Sequence, residues 1–256
     1  KAVRSVTVSD FYIGRFEVTV EAFSEFGQAT DYRTDAEKGD GSYIYENGSW
    51  TKKAGINWRH DATGKRRPSS EYNHPVLHVS WNDAVAYCNW LSQQHRYEPV
   101  YTINGDQVTA NWDADGYRLP TEAEWGYAAR GGSQSRGFLY SGSNNIDEVA
   151  WYSGNAKQGN THGEQKTTRP VGQKKANELG LYDMTGNVWE WCEDDWHDDY
   201  NGAPRDGRAW VDSPRASYRV PRGGGWAYAP QDCRAAYRHF YRPAARRNYV
   251  GFRLAL

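Results

Sequence analysis

Rings rather than aliphatic chains must fill any core this sequence builds. Its 256 residues carry 12 Trp, 19 Tyr and 7 Phe beside 26 Gly. Large aromatics bury much area per residue, and frequent glycine releases the backbone into turns. The expected fold is therefore rich in loops and held by aromatic packing, not by long regular elements. The same rings argue against disorder. Length allows one or two domains. A mean hydropathy of -0.94 excludes a membrane-spanning bundle, and no apolar run approaches the roughly 20 residues of a spanning helix. The formal net charge of -1 draws the chain toward neither nucleic acid nor an anionic membrane.

Local signals place the elements. Val3, Val6 and Val8, then Phe11 to Ile13 and Phe16 to Val18, read as short strands around Gly14. Thr19 caps a helix reaching Phe26, with Val20, Phe23 and Phe26 on one face. Asp31 to Ser70 is polar and has no sustained period, so it reads as an excursion packed by its own aromatics, Trp50 and Trp58. Ser80 caps a second helix that turns Ala84, Tyr87, Cys88 and Leu91 to one side. Thr121 and Glu124 form a capping box for a third helix, which ends at Gly131-Gly132. Ser133 to Asn177 and Asp194 to Pro221 read as loops. The acidic run Glu193 to Asp195, with Asp198 and Asp199, reads as solvated. His74 and His78 read as structural hydrogen-bonding residues rather than metal ligands.

The tail from Arg222 to Leu254 holds Tyr228, Tyr237, His239, Phe240, Tyr241 and Tyr249 among Arg234, Arg238, Arg242, Arg246 and Arg247. Rings beside guanidinium groups suit recognition: each ring offers area for little entropy, and arginine adds forked donors. Some of these arginines are expected to pair with carboxylates inside the domain. Stacking on single-stranded nucleic acid is disfavoured by the neutral balance and by Asp232. Cys88, Cys192 and Cys233 are odd in number and lack metal-ligand spacing, so they indicate neither a disulfide framework nor a zinc site. One disulfide with a free thiol, or three buried thiols, remain open. No Ser-His-Asp order, phosphate loop or zincin motif is present.

Tyr117-Arg-Leu-Pro-Thr-Glu-Ala-Glu-Trp125, Gly186-Asn-Val-Trp-Glu-Trp191, Arg222-Gly-Gly-Gly-Trp226 and Gly251-Phe-Arg-Leu254 occur in one order. Together they resemble the formylglycine-generating enzyme, or sulfatase-modifying-factor, family, and the likeness spans nearly the whole chain. It implies one α+β domain, residues 1–256, with a C-type-lectin-like fold of few helices and a small twisted antiparallel sheet. The family's oxidases bind copper through a cysteine pair after the Arg-Gly-Gly motif. That alignment puts Tyr228 at the first cysteine and Cys233 at the second, so no copper is expected and Cys233 reads as a buried small hydrophobe. An oxidoreductase of the formylglycine-generating or a related oxidative branch is the alternative.

The tail is more similar to the branch diversified by retroelements, whose variable segment, here 222–254, is a ligand-binding face. Those elements rewrite adenines in AAC codons. Ala227, Tyr228, Asp232, His239, Phe240, Tyr241, Ala245, Asn248 and Tyr249 are taken as reachable that way, and Trp226, Gln231 and Arg234 as scaffold. With Ala229, these nine form the expected ligand-contact set. The resemblance further implies a protein or carbohydrate ligand, a monomer, and export to the cell surface as a lipoprotein whose leader is absent from a chain opening at Lys1. It also implies a structural Ca2+ held by Asp183, Glu190 and the carbonyls of Gly186 and Val188, hard oxygen donors in one tight loop. A second family site would begin at Asn155 and the Ala156 carbonyl; Glu164 lies nearby in sequence without matching its acidic partner.

Overall fold

The computed structural model describes residues 5–46, 48–156 and 167–256. Its longer helices start where capping side chains dictate. Thr19 Oγ1 accepts from the Ala22 amide at 3.2 Å and opens α1, Val20–Thr30, which buries Val20, Phe23 and Phe26. After the short α2, Asp35–Lys38, and the first hairpin, Ser80 and Asp83 cap each other reciprocally at the start of α3, Trp81–Gln94. Thr121 and Glu124 do the same for α4, Glu122–Ala129, and the chain leaves it through Gly131 at φ 86°. A one-turn helix, α5, Ile146–Val149, interrupts the loop expected after residue 133.

Strands are fewer than the N-terminal pattern suggests. Val3 lies outside the described residues. From Ser5 to Val18 the chain makes one isolated bridge, Ile13 to Ala255. Its amides are instead spent on the C-terminus: Tyr12 donates to Leu256, Gly14 to Leu254 and Val18 to Phe252, at 2.8 to 2.9 Å. The alternating pattern is real, but it clasps the far end of the chain.

The polar excursion also folds. β1, Ser42–Glu46, and β2, Ser49–Lys53, pair antiparallel. Gly41, at φ 83°, lets this hairpin close, because a Cβ there would fall on the Lys53 carbonyl oxygen. A second hairpin joins β3, Tyr101–Asn104, to β4, Gln107–Ala110. The central sheet has β5, Trp189–Asp195, between antiparallel β6, Arg219–Arg222, and parallel β7, Val250–Gly251. Among the described residues, few helices, three small sheets and long loops make this an α+β fold of the C-type-lectin-like kind.

Rings fill the core. Trp81, Trp125, Trp189, Trp191, Phe23 and Phe252 are fully buried, and Phe23 stacks on Tyr87 with centroids 5.6 Å apart. β5 is buried along its whole length, which corrects the reading of Glu193 to Asp195 as solvated. Three carboxylates can sit there because each is answered. Glu193 and Asp195 both pair with Arg215 at 2.9 Å, Asp195 also pairs with Arg219 at 2.8 Å, and Asp194 accepts from the Glu122 and Trp210 amides. His78 is buried and bonds Ser42 Oγ at 2.8 Å and the Asp61 carbonyl at 3.0 Å; His74 bonds Thr168. Both are structural. Burial pushes each imidazole down to about 3.

Candidate functional site

The tail leaves β6 through Gly223 to Gly225. Gly224, at φ 81°, lies against Cys233, where a Cβ would meet Sγ at 2.6 Å. Beyond that turn the tail is pinned by its backbone. Arg219 and Tyr241 exchange amide bonds at 2.8 and 3.1 Å. Trp81 donates to the Pro243 carbonyl and His78 to that of Arg247. Side chains between these pins can therefore change without removing the bonds that hold the loop.

The tail and the β1–β2 hairpin enclose a cleft of about 470 Å³. His239, Phe240, Tyr241 and Ala245 line it from the expected contact set. Phe240 is 41% exposed, with its ring against Trp196 and Tyr218. His239 stacks on Tyr241 at 4.6 Å. His239 Nδ1 meets the Phe240 amide at 2.7 Å and the Phe240 carbonyl at 3.2 Å, and Nε2 lies 3.5 Å from the Tyr241 hydroxyl. Burial lowers the His239 pKa, which keeps the ring neutral. The Tyr241 hydroxyl also meets those of Tyr228 at 3.1 Å and Tyr249 at 3.2 Å. Burial, followed by the charge the neighbouring phenols would carry, raises the pKa of Tyr228 and Tyr241 far above the usual tyrosine value. Tyr228 and Tyr241 are therefore neutral hydrogen-bonding partners at neutral pH.

Other expected contacts lie elsewhere. Tyr228 packs behind the cleft beside Trp189, and Tyr249 is only 5% exposed, wedged against Trp50. Both support Tyr241 instead of facing outward. Asn248 is a correction: it is 0% exposed, its amide donates to the Ala62 carbonyl at 2.6 Å, and its own carbonyl accepts from Trp226 Nε1. It is a rivet between tail and excursion and is closed to any ligand. Ala227, Ala229 and Asp232 do not line the cleft. Conversely, Tyr43, Lys52 and Tyr218 line it and were not expected to. Only pairing of the hairpin with the tail, at the Tyr43 and Arg247 bridge, brings the first two there.

The thiols settle into three separate clusters. Cys88 packs with Phe23 and Trp81, Cys192 with Trp125 and Met184, and Cys233 with Tyr140 and Ile146. All three are free and buried, and burial pushes the Cys233 thiol up to about 12. The residues do not fit a two-thiolate copper centre. Glu190, from the expected calcium set, is paired inside the core. Arg253 holds both its oxygens at 2.6 Å, and Trp125 Nε1 also donates to Oε2 at 2.6 Å. Asp183 keeps one buried oxygen without a partner among the described residues, and burial pushes its carboxyl up to about 6. Gly186, at φ 78°, and Val188 shape the bend into β5. Asn155 is spent on Tyr152, Asp147 and Ala150, and Glu164 lies outside the described residues. Among the described residues no helix is long and apolar enough to cross a membrane.

Residues 1–256 match the Sulfatase-modifying factor enzyme 1-like domain. The chain is 37% identical to the chaperone protein LppX of Paenibacillus barcinonensis, over 91% of this chain and 75% of that one. It is 34% identical to the formylglycine-generating enzyme of Mus musculus over 95% of its own length, and it spans 63% of that enzyme. Among solved structures, Treponema denticola variable protein 1 superposes with a TM-score of 0.72 at 30% identity, covering 98% of this chain and 85% of that one.

Proposed function

The chain belongs to the sulfatase-modifying factor enzyme 1-like family along its whole length, and from that premise we propose that it is a non-catalytic member which binds a ligand on its tail face. One observation carries the reading. The tail presents half-exposed rings and guanidiniums in an open cleft, while its single nearby thiol is sealed in a separate apolar cluster. Adaptable rings on a frame pinned by main-chain bonds suit binding, much as in antibody loops. A protonated, isolated thiol is a poor nucleophile and a poor ligand for a soft metal. The likeness to the variable protein of Treponema denticola supports the same role. Display at the cell surface and a monomeric state belong to the proposal, and labelling of intact cells and sedimentation check them.

Two measurements test it. Selection of a phage-displayed random peptide library, with an array of glycans alongside, should recover binders that His239→Ala and Phe240→Ala variants lose while still folding. A cysteine-containing peptide incubated with the protein, Cu(I) and oxygen should return without conversion of its cysteine to an aldehyde. Aldehyde formation that disappears in Cys233→Ser would overturn the non-catalytic reading.

A further inference from the structure

The charge of the cleft indicates what kind of ligand it takes, an inference that rests on the binding role above. Lys52, Arg242, Arg246 and Arg247 all reach into it. Asp40 at the rim answers two of them, Lys52 at 2.5 Å and Arg246 at 2.7 Å. Arg246 is spent further on the Gly41 and Ala244 carbonyls. Arg242 and Arg247 have no carboxylate partner among the described residues. Arg247 lies over the Tyr43 ring at 4.0 Å, and its Nε is buried with no hydrogen-bond partner among those residues. Arg242 lies over Tyr218 at 5.4 Å.

The terminal nitrogens of both guanidiniums make no hydrogen bond among the described residues, and their forked donors suit an acceptor supplied from outside. Among the described residues no Asp, Glu, Asn or Gln lines the cleft. Beyond the phenol oxygens and His239, its polar side chains only donate. A neutral sugar needs partners that accept as well as donate, whereas a carboxylate only accepts. Exposed Phe240 and half-buried Ala245 supply an apolar wall beside the guanidiniums. We propose that the cleft recognises a peptide segment presenting a carboxylate next to an apolar side chain. Arg242 and Arg247 meet the carboxylate, and Phe240 packs on the apolar group.

The probe is a phage-displayed random peptide library, selected on the full chain, with neutral and acidic glycans arrayed in parallel. Recovered peptides should be enriched in Asp or Glu beside an apolar residue. Synthetic copies should lose about tenfold or more in affinity when the acid is exchanged for its amide, or when the protein carries Arg242→Gln or Arg247→Gln. Copies with an amidated end separate a side-chain carboxylate from a C-terminal one. Arg242 is exposed, so Arg242→Gln gives a reading even where Arg247→Gln disturbs the fold. Acid-free peptides bound equally by wild type and Arg242→Gln overturn this inference alone, as does binding confined to acidic glycans. Recovery of nothing from either source overturns the binding role as well.

Discussion

One tail uses arginine in two opposite ways. On the side facing α4, Arg222 and Arg238 converge on buried Glu122 at 2.6 to 2.9 Å, and Arg253 forks onto Glu190. On the side facing the hairpin, Arg242 and Arg247 lie over rings without a carboxylate. The same residue type is a fastener where its charge is answered within the fold and a recognition element where it is not. Charge content alone cannot separate the two regions; the distribution of carboxylates does.

Substitutions should therefore act very differently on the two sides. The largest effect belongs to Arg253→Ala. It strands Glu190 in the core, where its charge already adds to burial in raising the pKa of Glu17 and Asp183. Breaking such a buried pair costs about 3–5 kcal/mol, so denaturant melts should show a protein barely folded. Retention of wild-type stability would mean that Glu190 is held by something other than Arg253.

Acid probes the frame next. Buried His78 has its pKa depressed to about 3, below the unfolded value of 6.5. Its neutral ring thus contributes stability above pH 6.5 that is lost as pH falls toward 3. Wild type should exceed His78→Asn in stability at pH 7, and the gap should narrow as pH falls through that window. The same comparison at His239, half-exposed in the cleft and shifted in the same direction, should show a smaller change. Equal narrowing at both histidines would erase the distinction between frame and cleft.

Effects within the cleft are smaller still. Tyr241→Phe removes the hydroxyl shared by Tyr228 and Tyr249 and should cost about 1 kcal/mol in chemical denaturation. Arg242→Ala should stay within about 0.5 kcal/mol of wild type, because no hydrogen bond or ion pair of its guanidinium holds the fold among the described residues.

Elements set by neighbours in sequence were legible. Thr19, Ser80 and Thr121 announce their helices because a cap needs only the next three residues. Partners distant in sequence were not. The valines and aromatics before Val18 alternate as a strand would, yet their hydrogen bonds go to the last residues of the chain. β2 is exposed at every position and carries no burial pattern to read. Lys52 joins the cleft only because the hairpin is bridged to the tail. Asn248 shows the limit from the other side, since its residue type suits a ligand contact and only coordinates reveal that Ala62 has claimed it. Glu190 pairs with Arg253, a partner distant in sequence that no local motif reveals.

The most direct test measures melting temperature and recovery of library peptides on one protein, Phe240→Ala combined with Arg242→Ala. Both residues face the cleft and neither fastens the fold, so melting should stay within about 4 °C of wild type while peptide recovery disappears. Undiminished recovery by a protein that melts normally would contradict the claim that this face is where the molecule binds.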